Sequence, residues 1–163
     1  MPKQRQYWLM KSEPDAFSWA NLLESPAKTT FWDGVRNYQA RNMMRDLMKK
    51  GDGVLFYHSR TKPPGVVGVA QVVKEGAPDP TQFDAKDKHF DIKAKPEEPR
   101  WYGVEIKAVA GLPRYVSLTD IKDNPELDEM PLVQRGQRLS VQPVSAAQWK
   151  VVLAMGGYKG RKI

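Results

Sequence analysis

The segments of this 163-residue chain that read as strands do not alternate with helices in any regular rhythm, and that irregularity limits the possible folds more than composition does. Residues 52–59 (DGVLFYHS) and 65–76 (GVVGVAQVVKEG) are β-branched or aromatic runs separated by the breaker segment RTKPPG. QYWLMKS (6–12) alternates Tyr7, Leu9 and Lys11 against Trp8 and Met10. RWYGVEIKAVAGLP (100–113) alternates again, and RLSVQPV (138–144) supplies a last strand. Between them lie short helical segments. FSWANLLES is capped by Ser18, and VSLTDIKDNPEL by Ser117 or Thr119. YQARNMMRDLMKKG is the strongest helix, with Asn37 as N-cap, an apolar stripe of Met43, Met44, Leu47 and Met48, and Gly51 as its stop. SAAQWKVVLAMGG is capped by Ser145 and stopped by Gly156 and Gly157. A doubly wound parallel sheet needs a β-α-β rhythm that is missing here. The pattern predicts an α+β domain over residues 1–158, built on a small curved or closed sheet with peripheral helices, and a loose basic tail over 159–163.

Composition then removes whole classes of chemistry. Cysteine is absent, which excludes disulfides, thiolate zinc sites and thiol catalysis. His58 and His89 are the only histidines, and no motif marks a carboxylate metal site, so no metal and no cofactor is expected. No apolar run approaches the ~18 residues of a membrane span, and MPKQRQYWLMKSEP has no signal-peptide core. The expectation is a cytoplasmic monomer without a membrane partner, at the nucleoid if bacterial and nuclear if eukaryotic. A net charge of +7 favours anionic partners, nucleic acid first among them.

Catalytic constellations are weak. His58, Ser59 and Asp33 are the residue types of a hydrolase triad, but no nucleophile elbow of the G-x-S-x-G kind is present. Glu13, Asp15 and Asp33 sit at turns, where acids are common as caps. Gly65, Gly68 and Gly76 match neither a P-loop nor a dinucleotide fingerprint. Gly68, inside a strand, is better explained by close backbone packing.

The aromatic and amide residues say more. Trp8, Trp19 and Trp149 lie in apolar patterns and read as core. Trp32 precedes the turn dipeptide Asp33-Gly34, a rim position from which an indole can stack on a planar ligand. Asn37 offers a donor and an acceptor to a base edge, although it also fits a plain helix cap. Arg36 can grip a phosphate or brace its loop. The strand ends KSEP (11–14) and FYHS (56–59) place polar groups where the mouths of small barrels form pockets. Arg41, Arg45, Lys49 and Lys50 put positive charge on the helix that follows and are candidate phosphate contacts.

YWLMKSEP, FWDGVRNYQARN, DGVLFYHS, PPGVVGVAQVV, DPTQFD, PRWYGVEI and RGQRLSVQPV occur in the order seen in the EVE-domain family, which the chain resembles from about Tyr7 to Leu153. One local departure is MPLVQRGQRLS, where Pro131 shifts the loop before the last strand. The resemblance implies a PUA-like small β-barrel with short flanking helices, akin to YTH and ASCH domains. It also implies a non-catalytic reader that holds a modified base, 5-methylcytosine or hydroxymethylcytosine in DNA, in an aromatic-lined pocket. A reader of modified RNA, or a PUA-like enzyme acting on a modified nucleoside, is the alternative. By the same resemblance the pocket maps onto Lys11, Ser12, Trp32, Gly34, Val35, Arg36, Asn37, Tyr57, His58, Ser59, Pro64, Trp101, Ser140 and Gln142, while Glu13 and Pro14 shape the first turn.

Overall fold

Alternation along the strands sends side chains into two separate apolar clusters, and the architecture follows from burying both. The computed structural model of the chain describes residues 5–160. Among these, six strands form one mixed sheet. They are β1 (Tyr7–Ser12), β2 (Thr29–Phe31), β3 (Gly53–His58), β4 (Gly65–Pro78), β5 (Tyr102–Ser117) and β6 (Val141–Val144). The spatial order is β2-β5-β4-β3-β1-β6. β1 runs parallel to β3, with Leu9 opposite Leu55, and every other pairing is antiparallel. Residues 161–163 of the expected basic tail lie outside the described residues.

The first cluster takes Trp8 and Met10 from β1, Val54 and Phe56 from β3, Ala70 and Val72 from β4, and Val104, Ile106 and Ala108 from β5. Trp19 and Leu22 of α1 (Trp19–Glu24) and Ala40 of α2 (Tyr38–Asn42) cover it. The second cluster takes the alternate residues Leu9, Leu55, Tyr57, Val66 and Val69. Ile121 of α3 (Leu118–Lys122) and Trp149 and Val152 of α4 (Ala146–Met155) cover it. Trp8, Trp19 and Trp149 are core residues, as their patterns imply.

Three helix starts follow the local signals. Ser18, Ser117 and Ser145 each accept from the backbone N–H three residues on, and in each case the side chain at that position returns a bond to the cap. The segment after Asn37 departs from expectation. It is α-helical only to Asn42 and then makes a π-helical turn over Met43–Leu47, closed by the Met48 N–H donating to Met43 O. The wider turn keeps Ala40, Met44 and Met48 on the core side and turns Leu47 outward, where it is 51% exposed. β5 also outruns its expected end at Pro113, continuing to Ser117.

Two glycines fit where no side chain would. A Cβ on Gly68 would lie 2.6 Å from the Trp19 ring, which explains a glycine inside a strand. One on Gly103 would lie 2.1 Å from the Trp32 carbonyl oxygen. Gly103→Ala is therefore expected to lower stability by about 1–3 kcal/mol through forced displacement of the segment at Trp32. Chemical denaturation of the variant checks this, and an unchanged midpoint contradicts it.

Candidate functional site

Residues from both ends of the strand order meet at one cleft of about 920 Å³. Thr30 and Phe31 come from β2, while Ser140 stands just before β6 at the opposite end of the order. A flat six-stranded sheet would hold its edges about 24 Å apart. A shared cleft requires the sheet to curl, and register shifts at several points between β4 and β5 supply twist for that curl. Lys11 and Ser12 enter from the end of β1, where the Lys11 N–H donates to Ser140 O at 2.8 Å. Glu13, Ala16 and Phe17 follow from the next loop. Residues 32–36 form another wall, and Lys86, Asp87, Lys88 and His89 close the cleft from a loop some fifty positions away in sequence.

The 32–36 wall is built on Asp79, a carboxylate that is fully buried. Its Oδ2 accepts from the Gly34 N–H at 2.8 Å and from Arg36 Nη1 at 3.0 Å. Its Oδ1 accepts from the Thr81 N–H at 2.8 Å and the Thr81 hydroxyl at 2.7 Å. Burial alone pushes the Asp79 carboxyl up, but the bonds from Thr81, Gly34 and Arg36 together outweigh it and hold the group below the ordinary carboxylate range. Arg36 also donates from Nε and Nη2 to His89 O at 3.0 and 2.7 Å, and its guanidinium lies over the Trp101 ring at 5.4 Å. It braces the two loops against each other, the second of the roles its sequence position allowed. Gly34 has φ of +79° and would place a Cβ 2.7 Å from the His89 ring. No other residue fits this turn without moving that ring.

Trp32 is both wall and core. It lines the cleft, yet it is only 7% exposed and meets Phe56 edge to face at a centroid distance of 5.6 Å. Its backbone N–H donates to Val104 O at 2.8 Å, which anchors the residue at the end of the sheet. Phe56 in turn contacts Trp19 at 5.4 Å and His58 at 5.7 Å.

Of the residues carried over from sequence, Lys11, Ser12, Trp32, Gly34, Val35, Arg36 and Ser140 line the cleft together. Asn37, Tyr57, His58, Ser59, Pro64, Trp101 and Gln142 do not, and each has another position in the fold. Asn37 Oδ1 accepts from the Ala40 N–H at 3.0 Å, the plain cap. Tyr57 faces the second cluster by strand alternation, and burial, with Tyr115 nearby, pushes its phenol up to about 12. His58 Nε2 accepts from the Trp19 N–H at 3.1 Å and so caps α1 from β3. The Ser59 N–H donates to Ser12 O at 2.9 Å, and Pro64 O accepts from the Leu118 N–H at 2.8 Å. Trp101 lies behind Arg36, stacked on Tyr38 at 4.8 Å and donating from Nε1 to Asp91 Oδ2 at 2.7 Å. Gln142 is buried and donates to Leu139 O at 2.8 Å. With His58 committed to a backbone N–H and only Asp33 of the three in the cleft, the Ser59–His58–Asp33 arrangement is not assembled.

Three of the four candidate phosphate cations have side chains engaged within the chain. Arg41 donates to Arg100 O and Asn42 Oδ1, Arg45 pairs with Asp46 at 2.9 Å, and Lys49 lies 3.8 Å from Glu75. The Lys50 backbone N–H donates to Glu75 Oε2 at 3.2 Å. None of these four residues lines the cleft.

Sequence reasoning missed Phe17, Phe31, Asp33 as a cleft residue, and the whole 86–89 loop. It also missed Gln82, a buried amide whose Oε1 accepts from the Arg100 and Trp101 N–H groups and whose Nε2 donates to Asp79 O and Trp101 O. DPTQFD was visible as a motif, but its anchoring role emerges only from these long-range bonds.

Two groups in the cleft are electrostatically unsettled. Burial lowers the Lys11 ammonium from its ordinary value; no carboxylate pairs with it among the described residues, and it lies over the Tyr57 ring at 5.9 Å. Burial, with Asp79 nearby, raises the Asp33 carboxyl, partly offset by His89 and Arg36. Among the described residues no group of His, Asp and Glu is placed to hold a metal ion.

The family model for the EVE domain matches residues 6–155. The chain belongs to the EVE-domain family. This EVE domain is 43% identical over 166 aligned positions to thymocyte nuclear protein 1 of Gallus gallus, an alignment covering 91% of this chain and 68% of that one. It superposes with a TM-score of 0.88, at 38% identity, on human thymocyte nuclear protein 1 crystallised with DNA containing 5-methylcytosine, covering 95% of this chain and 99% of that one. A more distant likeness, with a TM-score of 0.54 and 14% identity over 99% of this chain and 90% of the other, joins it to a YTH domain from Zygosaccharomyces rouxii and concerns the fold alone. The fold is thus α+β of the PUA-like kind.

Two expectations follow from the geometry. Asp79→Asn keeps the shape but replaces an acceptor oxygen with an amide that cannot serve the donors around it. The loss is expected to be about 3 kcal/mol, read from the shift in denaturation midpoint. Burial also holds the His58 imidazole below its ordinary pKa. The unfolded chain therefore takes up this proton first, and stability falls as pH drops below about 6.5. Melting temperatures of wild type and His58→Gln measured from pH 8 to pH 5 should converge as the pH falls, and parallel curves would contradict the assignment.

Proposed function

We propose that this EVE domain is a non-catalytic reader of modified bases in nucleic acid, taking a flipped base of the 5-methylcytosine type from DNA into the cleft. The observation that carries the reading is a single cleft that joins the aromatic walls Trp32, Phe31 and Phe17 to polar groups, Asp33 and Ser140. A cytosine edge presents acceptors at O2 and N3 beside a donor at N4. Asp33 supplies an acceptor, and the Ser140 hydroxyl, unpartnered among the described residues, supplies a donor. Trp32, Phe31 and Phe17 replace the stacking lost on flipping, worth about 1–3 kcal/mol per base. The crystallised complex of human thymocyte nuclear protein 1 with DNA containing 5-methylcytosine supports the same polymer and modification. The added methyl contributes only about 0.8 kcal/mol by burial, so the polar groups carry much of the discrimination.

The reader returns its ligand unchanged: no residue acts as nucleophile or general base. Phosphate contacts are assigned to Lys86 and Lys88 at the mouth of the cleft. Arg41, Arg45, Lys49 and Lys50 form a flanking surface, and internal partners reduce the effect of the first three.

The test is a titration of plain and modified oligonucleotides, with cytosine and adenine modifications, in DNA and RNA, at two salt concentrations. The expected outcome is a preference for methylated cytosine in DNA that drops in Asp33→Asn, and affinity that drops by about tenfold in Trp32→Phe, which shrinks the stacking platform but keeps an aromatic ring against Phe56. Equal affinity for plain and modified oligonucleotides overturns the reading. A preference for methylated adenine in RNA favours the RNA alternative, and product formation from a modified nucleoside favours the enzyme.

A further inference from the structure

The loop that closes the cleft continues into the most exposed large apolar side chain among the described residues, Ile92, at 83%. Phe90, two positions earlier, is 40% exposed. Lys86, Lys88, Lys93 and Lys95 flank the pair, all exposed, and none of their ammonium groups forms an ion pair among the described residues. The acids of the same loop are used locally. Asp84 accepts from the Lys86 N–H, Asp87 from the His89 N–H, and Asp91 from Trp101 Nε1 and the Lys93 N–H. What the loop presents outward is an apolar tip between cations.

Its root is fixed to the cleft wall. His89 O receives two bonds from Arg36, and the Asp91 N–H donates to Gln82 O at 3.0 Å. Ile92 is three residues beyond His89, a cleft residue, so its Cα stands within about 11 Å of that wall. A rigid apolar tip at that range from a base pocket matches the gap left in a duplex when one base is withdrawn. Apolar side chains inserted at base steps are a recurring device, and the flanking phosphates call for cations on both sides.

We propose that residues 86–95 form a duplex wedge. Ile92, backed by Phe90, enters the stack beside the flipped base, while Lys86 and Lys88 on one side and Lys93 and Lys95 on the other hold the adjoining phosphates. The wedge rests on the base-reading function and adds the duplex as its partner.

The test compares wild type with Ile92→Ser on three probes, with the plain single strand as control: a short DNA duplex containing 5-methylcytosine, the same duplex with an abasic site opposite that base, and the methylated single strand. The substitution is expected to weaken binding to the paired duplex about tenfold and to change the single-strand affinity less than about twofold, because only the duplex has a stack to open. A 2-aminopurine next to the modified base should brighten on binding wild type and stay quenched with Ile92→Ser. Lys93→Ala combined with Lys95→Ala should flatten the salt dependence of duplex binding by a slope of about one to two. Unchanged duplex affinity in Ile92→Ser, or equal losses on all three probes, overturns the wedge while leaving the base reading intact. Wild type that binds methylated and plain single strands alike overturns the base reading, and the wedge with it.

Discussion

The carboxylate of Asp79 is the constraint on which the site depends. Burying an ionised carboxylate is costly unless its lone pairs are filled, and here the Gly34 N–H, Arg36, and the N–H and hydroxyl of Thr81 fill them. Because those donors come from two distant segments, satisfying the charge also sets the shape of the cleft. Arg36 extends the tie to His89 O, so the 32–36 turn and the 86–89 loop are positioned by one network. Gln82 repeats the device beside it, with its four bonds holding the chain between Asp79 and Trp101.

The second organising element is Phe56, fully buried at the meeting point of Trp19, Trp32 and His58. Through it the cleft wall and the helix cap of α1 share the packing of the main core. The core and the cleft are therefore coupled at Trp32, whose indole belongs to both. Gly68 and Gly103 admit the two tryptophans to this arrangement by leaving space where a Cβ would collide.

Much of this was legible along the chain, because the signals involved are local. The serine caps at Ser18, Ser117 and Ser145, the alternation in β1 and β3, and the core tryptophans depend on neighbours a few positions away. β2 was too short, at Thr29–Phe31, to show a period. The outward turn of Leu47 arose from a π turn that no propensity distinguishes from an α turn. The cleft was half legible. Lys11, Trp32 and Gly34 sit at strand ends or turns, where sequence grammar marks a rim. Asp33 was visible as a turn former and a weak triad candidate but not as a cleft residue, and Lys86 to His89 lie in a polar loop whose placement depends on bonds to Arg36, across more than fifty positions. Trp101 shows the converse error: a motif aromatic that supports the site from behind, against Tyr38, rather than lining it.

The contact between Gly34 and the His89 ring also bears on kinetics. Because Gly34 has no Cβ the two walls pack closely, and Arg36 ties them through two bonds to His89 O and one to Asp79. The cleft is consequently preformed, and little of the chain has to be ordered when a ligand arrives. On the proposed reading, in which a base is drawn out of a duplex, the slow event then belongs to the DNA. Association should follow the rate at which a base pair opens, and the identity of the flanking pairs should affect how fast a site is found more than how long the complex lasts.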